Sequence, residues 1–496
     1  MSTVQNIFLI LTAISLVACN KNIKQENQKP NVLLIVVDDL GYADFSPFEN
    51  HSPNVPTPNL QRIADAGTVF TQAYTTAPVC SPSRCGLYTG KMQFRWDKKV
   101  SWTPGLPDSV KTIAEYLKSA GYETAMIGKS DMGGNFHRSD VREYPRNHGY
   151  DYFLGFNAHA HDYWLTSEES AKRTPDPKGS SWHLGPLMEN DTFKSYPDDE
   201  YLTDIFTDEA INYLKAEKDN PFFLTLSYNA VHHIIHEVPQ KYLDKYGVAP
   251  IHNYNPDSLE TFKNFKPGSY RAYYEKYTEI GDINSQDMRK YYLANLNCLD
   301  DNIGRLLDAI KQEGLDENTI IVFMSDNGGS PITGANNAPL TAGKYTLWEG
   351  GIRVPMMLKW TGKAQAGKTE TRYVSATDIL PTLAEAAGIS LSDPTLDGRS
   401  LLDPDQNRLM IWRWHDKWAV RKGKWKLTNT NEAWGKGDSP SHLFIKPIVN
   451  DTNLKLFDLE ADPGERHNLA EDNPDVLQQL QSEYENWIKK NTGKYN

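Results

Sequence analysis

The sequence predicts an α/β protein in which helices cover both faces of a large, mainly parallel sheet, and a small antiparallel sheet with one helix follows. The first observation is that apolar, strand-like runs alternate with helix-periodic segments up to about residue 400, as in parallel α/β sheets. The second is that short alternating runs separated by tight turns follow residue 400, as in antiparallel sheets. We therefore expect a large domain over residues 30–400 and a small α+β subdomain over residues 401–496.

The elements of the large domain follow from their apolar patterns. Val32–Val37 is continuously apolar, which is typical of a strand buried on both faces. Residues 108–120 predict an amphipathic helix, and Gly121 follows where a helix terminator belongs. The apolar face of that helix carries Val110, Ile113, Ala114 and Leu117. Further strands are predicted over Tyr122–Ile127, Phe222–Tyr228, Ile320–Met324 and Val354–Lys359. A second helical face carries Leu296, Leu299, Ile303, Leu306 and Ile310.

The small subdomain is predicted from four short runs and one amphipathic segment. The runs are Arg408–His415, Lys417–Arg421, Lys424–Leu427 and Leu454–Leu459. Pro474–Lys489 has the periodicity of a closing helix. The stretch Asn429–Asn450 is polar and contains Gly and Pro, which predicts a long loop.

Composition excludes several classes of protein. The chain has 496 residues, with 52 Lys and Arg against 64 Asp and Glu, a net charge of −12. Because nucleic-acid-binding proteins usually carry a basic excess, we expect no nucleic-acid partner. Four Cys in a chain of this length are too few for a disulfide scaffold. A large globular enzyme remains.

The N-terminus resembles an export signal. The apolar run Ile7–Ala18 covers 12 residues, whereas a membrane span needs about 20. It ends in Leu-Val-Ala-Cys at Cys19, which resembles the lipobox of bacterial lipoproteins, although residues 1–6 contain no Lys or Arg. We expect a signal peptide over residues 1–19, lipidation of Cys19 and a linker over residues 20–29. The mature protein would then be anchored to a membrane in the periplasm or on the outer membrane of a Gram-negative bacterium.

Residues suited to chemistry follow four of the predicted strands. Asp38-Asp39 follow the first, Gly128-Lys129 the second, Asn229 to His232 the third, and Asp326-Asn327 the fourth. Ligands bind at the carboxyl ends of strands in such sheets, so these clusters are expected to converge. Three carboxylates would repel one another unless a cation lay between them. An oxygen-only set favours a hard ion such as Ca²⁺ or Mg²⁺.

The strongest local motif is Cys80-Ser81-Pro82-Ser83-Arg84, followed by Leu87-Tyr88-Thr89-Gly90. A Cys just ahead of a helix start lies in positive potential, which favours a thiolate. Arg84, one turn along, can hold an anionic ester group through its planar guanidinium.

This motif resembles the signature of the type I sulfatases, a family of the alkaline-phosphatase-like superfamily. The resemblance covers nearly the whole chain after residue 30 and extends to five other segments. They are Asn31–Gly41, Asp326–Gly328, Pro339–Lys344, Glu349–Pro355 and Leu456–Leu469. It implies the alkaline-phosphatase-like fold and the hydrolysis of sulfate esters. Export favours a sulfated carbohydrate as the substrate.

The resemblance also implies a set of site residues. Cys80 would be oxidised to formylglycine by a formylglycine-generating enzyme or an anaerobic sulfatase-maturing enzyme. One Ca²⁺ would be held by Asp38, Asp39, Asp326, Asn327 and the modified Cys80. The sulfate would be surrounded by Arg84, Lys129, His232 and Lys344. His232 would be the acid for the departing alcohol.

The chain departs from the family at one position, and this leaves two interpretations open. Sulfatases usually carry Gly-Lys-x-His at the end of this strand, whereas this chain has Asp131 in place of the His. In the first interpretation Asp131 either accepts a hydrogen bond from the formylglycine diol, where it would serve as a catalytic base, or is neutralised by Lys129. In the second it caps the following loop, and another histidine such as His137 fills the gap.

The histidine spacing, an aromatic segment and two thiols each fit two interpretations. The spacing of His232 and His236 is compatible with a zinc pair, and the aromatic, His-rich segment His137–His183 with either a sugar-binding wall or core packing. Cys85 and Cys298 could pair or remain free thiols.

Two other functions compete with the hydrolysis of sulfate esters. One is a phosphomonoesterase or phosphodiesterase of the same superfamily, and the other is a catalytically dead, glycan-binding lipoprotein.

Overall fold

The structure, a computed structural model, describes residues 29–97, 104–133, 139–165, 186–251, 285–405, 407–431 and 454–493. Its large sheet has ten strands. They are β1 (Asn31–Val37), β2 (Thr68–Tyr74), β3 (Glu123–Lys129), β4 (Tyr152–Phe156), β5 (Leu187–Glu189), β6 (Thr192–Lys194), β7 (Phe222–Ser227), β8 (Thr319–Ser325), β9 (Arg353–Lys359) and β10 (Lys368–Ser375).

The strands of this sheet lie in the order β10-β2-β9-β8-β1-β7-β3-β4-β5-β6. β1 lies near the middle and is parallel to both β7 and β8, and β3 continues the parallel part between β7 and β4. β9 runs antiparallel to β8 and β2. The predicted large, mainly parallel sheet is therefore confirmed. Strands β2, β4, β5, β6 and β10 were missing from the prediction. The apolar pattern of β2 is interrupted by Thr71 and Gln72, and that of β10 by exposed polar residues, while β4, β5 and β6 are short.

Helices cover both faces of the sheet, as predicted. They are α1 (Pro58–Ala66), α2 (Cys80–Thr89), α3 (Ile113–Ser119), α4 (Leu202–Lys215), α5 (Gln240–Tyr246), α6 (Ser285–Gln312), α7 (Glu349–Ile352) and α8 (Ile379–Ala386). Alternate residues of β1 belong to two separate cores, because successive side chains of a strand point to opposite faces. Leu33 and Ile35 pack with residues of α4 and α6, whereas Val32 and Leu34 pack with residues of α3 and α8.

The start predicted for α3 is wrong. The helix begins at Ile113 rather than at Asp108, because Thr112 and Glu115 form a capping box. Thr112 Oγ1 accepts a hydrogen bond from Glu115 N at 3.2 Å, and Glu115 Oε2 accepts one from Thr112 N at 2.8 Å. These bonds satisfy backbone donors that would otherwise be unpaired at the helix start. Gly121 has a φ of 87°, as expected for a residue that terminates a helix.

A small antiparallel sheet with one helix follows, as predicted. Its strands are β11 (Leu409–Trp414), β12 (Lys417–Lys422), β13 (Trp425–Thr428) and β14 (Lys455–Asp458), and its helix is α9 (Pro474–Asn491). Trp412 is buried and donates from Nε1 to Thr75 O at 2.7 Å. This bond ties the small sheet to the segment that leads into α2. Most of the predicted loop Asn429–Asn450 lies outside the described residues.

The export signal, Cys19 and almost all of the linker also lie outside the described residues. Within the part of the chain that is described, none of the helices combines the length and the apolar character that a membrane crossing requires.

Candidate active site

The carboxyl ends of four parallel strands meet at one edge of the large sheet. Val37 of β1 pairs with Ser325 of β8, so the residues that follow these strands are neighbours, and Asp326 N donates to Val37 O at 3.0 Å. On the other side of β1, β7 leads to the segment that contains His232, and β3 ends at Lys129. The predicted convergence of the four strand-end segments is what the structure shows.

Three aspartates form a buried carboxylate cluster at this edge, consisting of Asp38, Asp39 and Asp326. All three are inaccessible to solvent. Asp39 has a φ of 60°, a left-handed conformation that Asp tolerates better than most residues. Its backbone N–H lies 3.4 Å from Asp326 Oδ1, and its Oδ1 accepts from Asn327 Nδ2 at 2.7 Å.

Four side chains at the cluster can offer a ligand atom to one metal ion. Their ligand atoms all lie within 4.8 Å of one another and belong to Asp38, Asp39, Cys80 and His232. Three of these were in the predicted ligand set, whereas His232 was assigned to the sulfate. His233 and His236 do not belong to this group. Among the described residues, the spacing of His232 and His236 therefore does not form a zinc pair.

Cys80 is the first residue of α2, and Sγ lies 3.3 Å from Asp38 Oδ1. The sequence predicts a site that favours a thiolate here, and the structure contradicts this. Burial raises the pKa of the Cys80 thiol well above its ordinary value, and the charges of Asp326 and Asp38 raise it further. The unmodified side chain is therefore a neutral thiol.

Three buried cations match the three carboxylates, and we call Arg84, Lys129 and Lys344 the cationic triplet. Arg84 Nε and Nη2 lie 2.9 and 2.8 Å from Asp326 Oδ2. Lys129 Nζ is 2.5 Å from Asp38 Oδ2, and Lys344 Nζ is 2.8 Å from Asp39 Oδ2. The structure thus brings together residues that are up to 306 positions apart in the sequence, from Asp38 to Lys344.

The carboxylates differ in their protonation because burial and charge act on them to different degrees. Burial raises the pKa of Asp39 to about 7, against the opposing charge of Lys344, and the charges of Asp38 and Asp326 add to the effect of burial. Burial and Asp38 likewise raise the pKa of Asp326. At Asp38, the charges of Lys129, Arg84 and Lys344 outweigh burial and lower the pKa. Burial therefore outweighs the neighbouring cations at Asp39 and Asp326 but not at Asp38.

His232 lies against the carboxylate cluster as a buried, neutral imidazole. Its Nδ1 lies 2.9 Å from His233 O, which can only accept, so this nitrogen carries the proton. Its Nε2 is 3.8 Å from Asp39 Oδ2. Burial lowers the pKa of His232 well below 6.5, and the charges of His233 and Lys344 act in the same direction.

Asp131 is buried, and its two carboxylate oxygens face Lys129 and His159. Asp131 Oδ2 is 3.4 Å from Lys129 Nζ, and Oδ1 is 3.0 Å from His159 Nδ1. Lys129 therefore helps to neutralise Asp131, as part of the first interpretation expects, and His159 pairs with Asp131 more closely. His137 lies outside the described residues. The sequence did not identify His159 as a site residue, since it was considered only as part of the aromatic segment His137–His183. Its position just after β4 could have indicated a place at the site, but β4 was not predicted.

Tyr163, in the described part of the aromatic segment His137–His183, packs as core. Tyr163 is inaccessible to solvent and lies 5.9 Å, between ring centroids, from Tyr201. Its hydroxyl lies 3.0 Å from Asn229 O and 2.9 Å from His232 O, so this core residue supports the backbone of the site. Residues 166–185 lie outside the described part. Cys85 and Cys298 are both buried free thiols and do not pair with each other.

Comparisons with known proteins show that the chain is similar to sulfatases. A family model described as "Sulfatase" matches residues 30–389, and one described as "N-sulphoglucosamine sulphohydrolase, C-terminal" matches residues 342–492. Human N-acetylgalactosamine-6-sulfatase is 30% identical over 481 residues, covering 89% of this chain and 82% of the relative. A sulfatase of Formosa agariphila is 28% identical and covers 96% and 92%. The crystal structure of Ps i-CgsB in complex with k-i-k-neocarrahexaose is 29% identical, covers 94% of both chains, and has a TM-score of 0.72.

Proposed function

This chain belongs to the sulfatase family and is a sulfuric ester hydrolase, and from that premise we propose that it removes sulfate from a polymeric or oligomeric carbohydrate. The observation that carries the proposal is that Cys80 lies in a buried site between the carboxylate cluster and the cationic triplet. Relatives named for N-acetylgalactosamine-6-sulfate, and the structure complexed with a neocarrahexaose, support a sulfated sugar.

The cationic triplet is suited to hold the sulfuryl group. A sulfate ester carries one negative charge spread over its outer oxygens, and fixed cations in a water-excluded site stabilise charge that develops there. Arg84 is held rigidly, because Nη1 also donates to Ser227 Oγ at 2.6 Å and to Lys129 O at 3.0 Å. A rigid donor needs little reorganisation when the substrate binds.

The residues at the carboxylate cluster fit a Ca²⁺ ion. The oxygen donors are those that a hard cation prefers, and Asn327 Oδ1 is a buried acceptor with no hydrogen-bond partner among the described residues. Asp38, Asp39, Asp326 and Asn327 would hold the ion, with position 80 beside them. A bound Ca²⁺ would polarise the nucleophile. The three carboxylates are already balanced by three cations, so a divalent ion would make the site positive, which favours an anionic ester.

The neutral thiol of Cys80 supports its conversion to formylglycine. A protonated, buried thiol is a weak nucleophile, because the thiolate is the reactive form. A hydrated formylglycine would supply a hydroxyl nucleophile at the same place. At the start of α2 the nucleophile would lie against Asp38, which Lys129 of the cationic triplet contacts at 2.5 Å. A formylglycine-generating or anaerobic sulfatase-maturing enzyme would be the partner for this step.

The proposal places the enzyme outside the cytoplasm. The lipobox-like end of the apolar run at Cys19 supports export and a lipid anchor. Such an address suits an enzyme that acts on carbohydrate polymers at the cell envelope of a Gram-negative bacterium.

The test is a desulfation panel with protein that carries formylglycine. Defined oligosaccharides with galactosamine 6-sulfate, galactose sulfate or glucosamine sulfate groups would be incubated with the enzyme, and free sulfate would be measured. We expect release from at least one of them and none from the matching phosphate esters. Release of phosphate without any release of sulfate would contradict the proposal.

A further inference from the structure

The carboxyl ends of β3 and β4 bring an aspartate and a histidine together next to the cationic triplet. These strands pair in parallel with Lys129 opposite Phe156, and Ser130 N donates to Phe156 O at 3.0 Å. Asp131 follows two residues after the end of β3, and His159 three residues after the end of β4. Since the strands end side by side, their following residues meet, and His159 Nδ1 lies 3.0 Å from Asp131 Oδ1.

A continuous series of contacts links this pair to the nucleophile. Asp131 lies 3.4 Å from Lys129 Nζ, Lys129 Nζ lies 2.5 Å from Asp38, and Asp38 lies 3.3 Å from Cys80 Sγ. The charges of both Lys129 and Lys344 act on the imidazole of His159. A single side chain, that of Asp131, thus lies between His159 and Lys129 of the cationic triplet.

The pair spans the boundary between the buried site and solvent. The side chain of Asp131 is 2% exposed, whereas that of His159 is 39% exposed. Lys129 and Lys344, by contrast, are 0% and 3% exposed. A sulfate held by the cationic triplet lies deep in the site, so its alcohol portion must extend toward solvent. His159 lies on that side.

The pairing also suits His159 to carry a proton. A carboxylate next to an imidazole stabilises the imidazolium form. Asp131 raises the pKa of His159 above its ordinary value, against the opposing effects of burial and of Lys129 and Lys344. The pKa of Asp131 is lowered, because His159, Lys129 and Arg84 together outweigh its burial. The two residues therefore form an ion pair.

His232 is placed differently. Its Nδ1 proton is held by His233 O, and its Nε2 lies among the groups that can offer ligand atoms to a metal. Nε2 lies 3.8 Å from Asp39 Oδ2, and the side chain is buried, so His232 faces the carboxylate cluster rather than the solvent side of the site.

We propose that His159 is the acid that protonates the leaving oxygen of the sulfate ester, and that Asp131 is the positioning residue that orients its imidazole. This inference rests on the proposed function. The hydroxyl nucleophile at position 80 gives its proton to the neighbouring carboxylate of Asp38, whose Oδ1 lies 3.3 Å from Cys80 Sγ. As the oxygen of this nucleophile bonds to sulfur, the bond from sulfur to the ester oxygen breaks, and the electron pair of that bond moves to the ester oxygen. The ester oxygen takes the proton from Nε2 of His159, which gives a neutral alcohol and a neutral imidazole. Nδ1–H stays bonded to Asp131, and exposure to solvent allows water to restore the proton.

The test compares leaving groups, because acid catalysis matters only where the departing oxygen is strongly basic. Wild type and His159→Gln would be assayed on phenyl sulfate, which has a basic leaving group, and on para-nitrophenyl sulfate, which has a weakly basic one. In His159→Gln, kcat for phenyl sulfate should fall by about 10²–10⁴-fold and kcat for para-nitrophenyl sulfate by less than about tenfold. Asp131→Asn should show the same pattern to a smaller extent.

A matched control and a measurement without turnover complete the design. His467→Gln removes another imidazole whose Nδ1 lies near a carboxylate, 3.4 Å from Asp462 Oδ2, but it lies after β14 in the small subdomain. It should leave both rates unchanged. NMR titration of histidine-labelled protein should show the midpoint pH of His159 lower in Asp131→Asn than in wild type, by at least about 1.

Each outcome can be assigned. A wild type that releases sulfate neither from these two esters nor from the oligosaccharide panel would overturn the proposed function and this inference with it. If the wild type cleaves only the panel, an unchanged rate on the panel in His159→Gln would overturn the acid role. With an active wild type, equal losses on both substrates, or no loss, in His159→Gln would overturn the acid role alone. An unchanged His159 titration in Asp131→Asn would overturn the role of Asp131.

Discussion

Lys426 of β13 joins the small sheet to the large one through a buried ion triad, and its removal should destabilise the protein strongly. Lys426 Nζ lies 2.9 Å from Glu349 Oε1 and 2.8 Å from Glu465 Oε1, and none of the three side chains is accessible to solvent. Lys426→Met replaces the cation with an apolar side chain of similar length, so both carboxylates lose their shared partner.

The loss of unfolding free energy in Lys426→Met can be judged from the contacts that Glu349 and Glu465 keep. Glu349 keeps the hydroxyl of Tyr74 at 2.5 Å and Arg353 Nη1 at 3.7 Å. Glu465 keeps the backbone N–H of Glu349, at 2.7 Å, but no second cation among the described residues. The cost therefore falls mainly on one uncompensated carboxylate. Breaking one buried ion pair costs about 3–5 kcal/mol, and we expect the free energy of unfolding to fall by that amount rather than by twice as much.

The loss of unfolding free energy in Lys426→Met should increase as the pH rises. Burial already raises the pKa of Glu465 from 4.5 to about 7, despite the opposing charge of Lys426. Because the folded state holds this proton more tightly than the unfolded state, stability is fully present below the ordinary pKa and falls as pH rises toward the folded pKa. Without Lys426 the pKa rises further, so the difference between variant and wild type should be smaller at about pH 5 than at about pH 8.

The assay is urea unfolding followed by tryptophan fluorescence at both pH values. Lys422→Met is the matched control, because Lys422 contacts Glu483 at 2.8 Å in the same sheet but is 34% exposed. Exposed pairs contribute about 0–1 kcal/mol. In Lys426→Met, adding Glu465→Gln should restore part of the lost stability. A loss no larger than that of the control, or one independent of pH, would refute the reasoning.

Three further predictions concern the active site. Peptide mass spectrometry of protein from the native host should find an aldehyde at residue 80 and an intact thiol at Cys85 on the same helix. The variant Cys80→Ala should lose turnover, and retained turnover would contradict the assignment of the nucleophile. Chelation should lower both the melting temperature and the rate, since a cation that binds only the folded state stabilises it, and stoichiometric zinc without calcium in metal analysis would contradict a Ca²⁺ site. Tyr163→Phe should lower the free energy of unfolding by about 1–3 kcal/mol, because the buried carbonyl of His232 loses its donor; urea unfolding that matches wild type would show that this bond contributes nothing.

Much of the site can be predicted from the sequence because its chemistry lies at strand ends. Asp38 and Asp326 each follow a continuous apolar run, and the carboxyl ends of parallel strands share one edge of a sheet. The Cys80–Arg84 motif stands out by the residue types that it combines, whereas Lys344 could be added only through the resemblance to the family. Residues that directly follow a recognisable strand, or that belong to a recognisable motif, could therefore be predicted to lie together at the site.

The tertiary structure alone decided what depends on the lateral order of the strands and on burial. The apolar pattern of a strand does not reveal its neighbours, so nothing in the sequence placed β4 beside β3 or His159 against Asp131. Burial likewise made Cys80 a neutral thiol where its position at a helix start predicted a thiolate. The physical reason is the same in both cases: a residue's own neighbours in the chain determine its local conformation, whereas its charge state and partners are set by groups that are distant in the sequence.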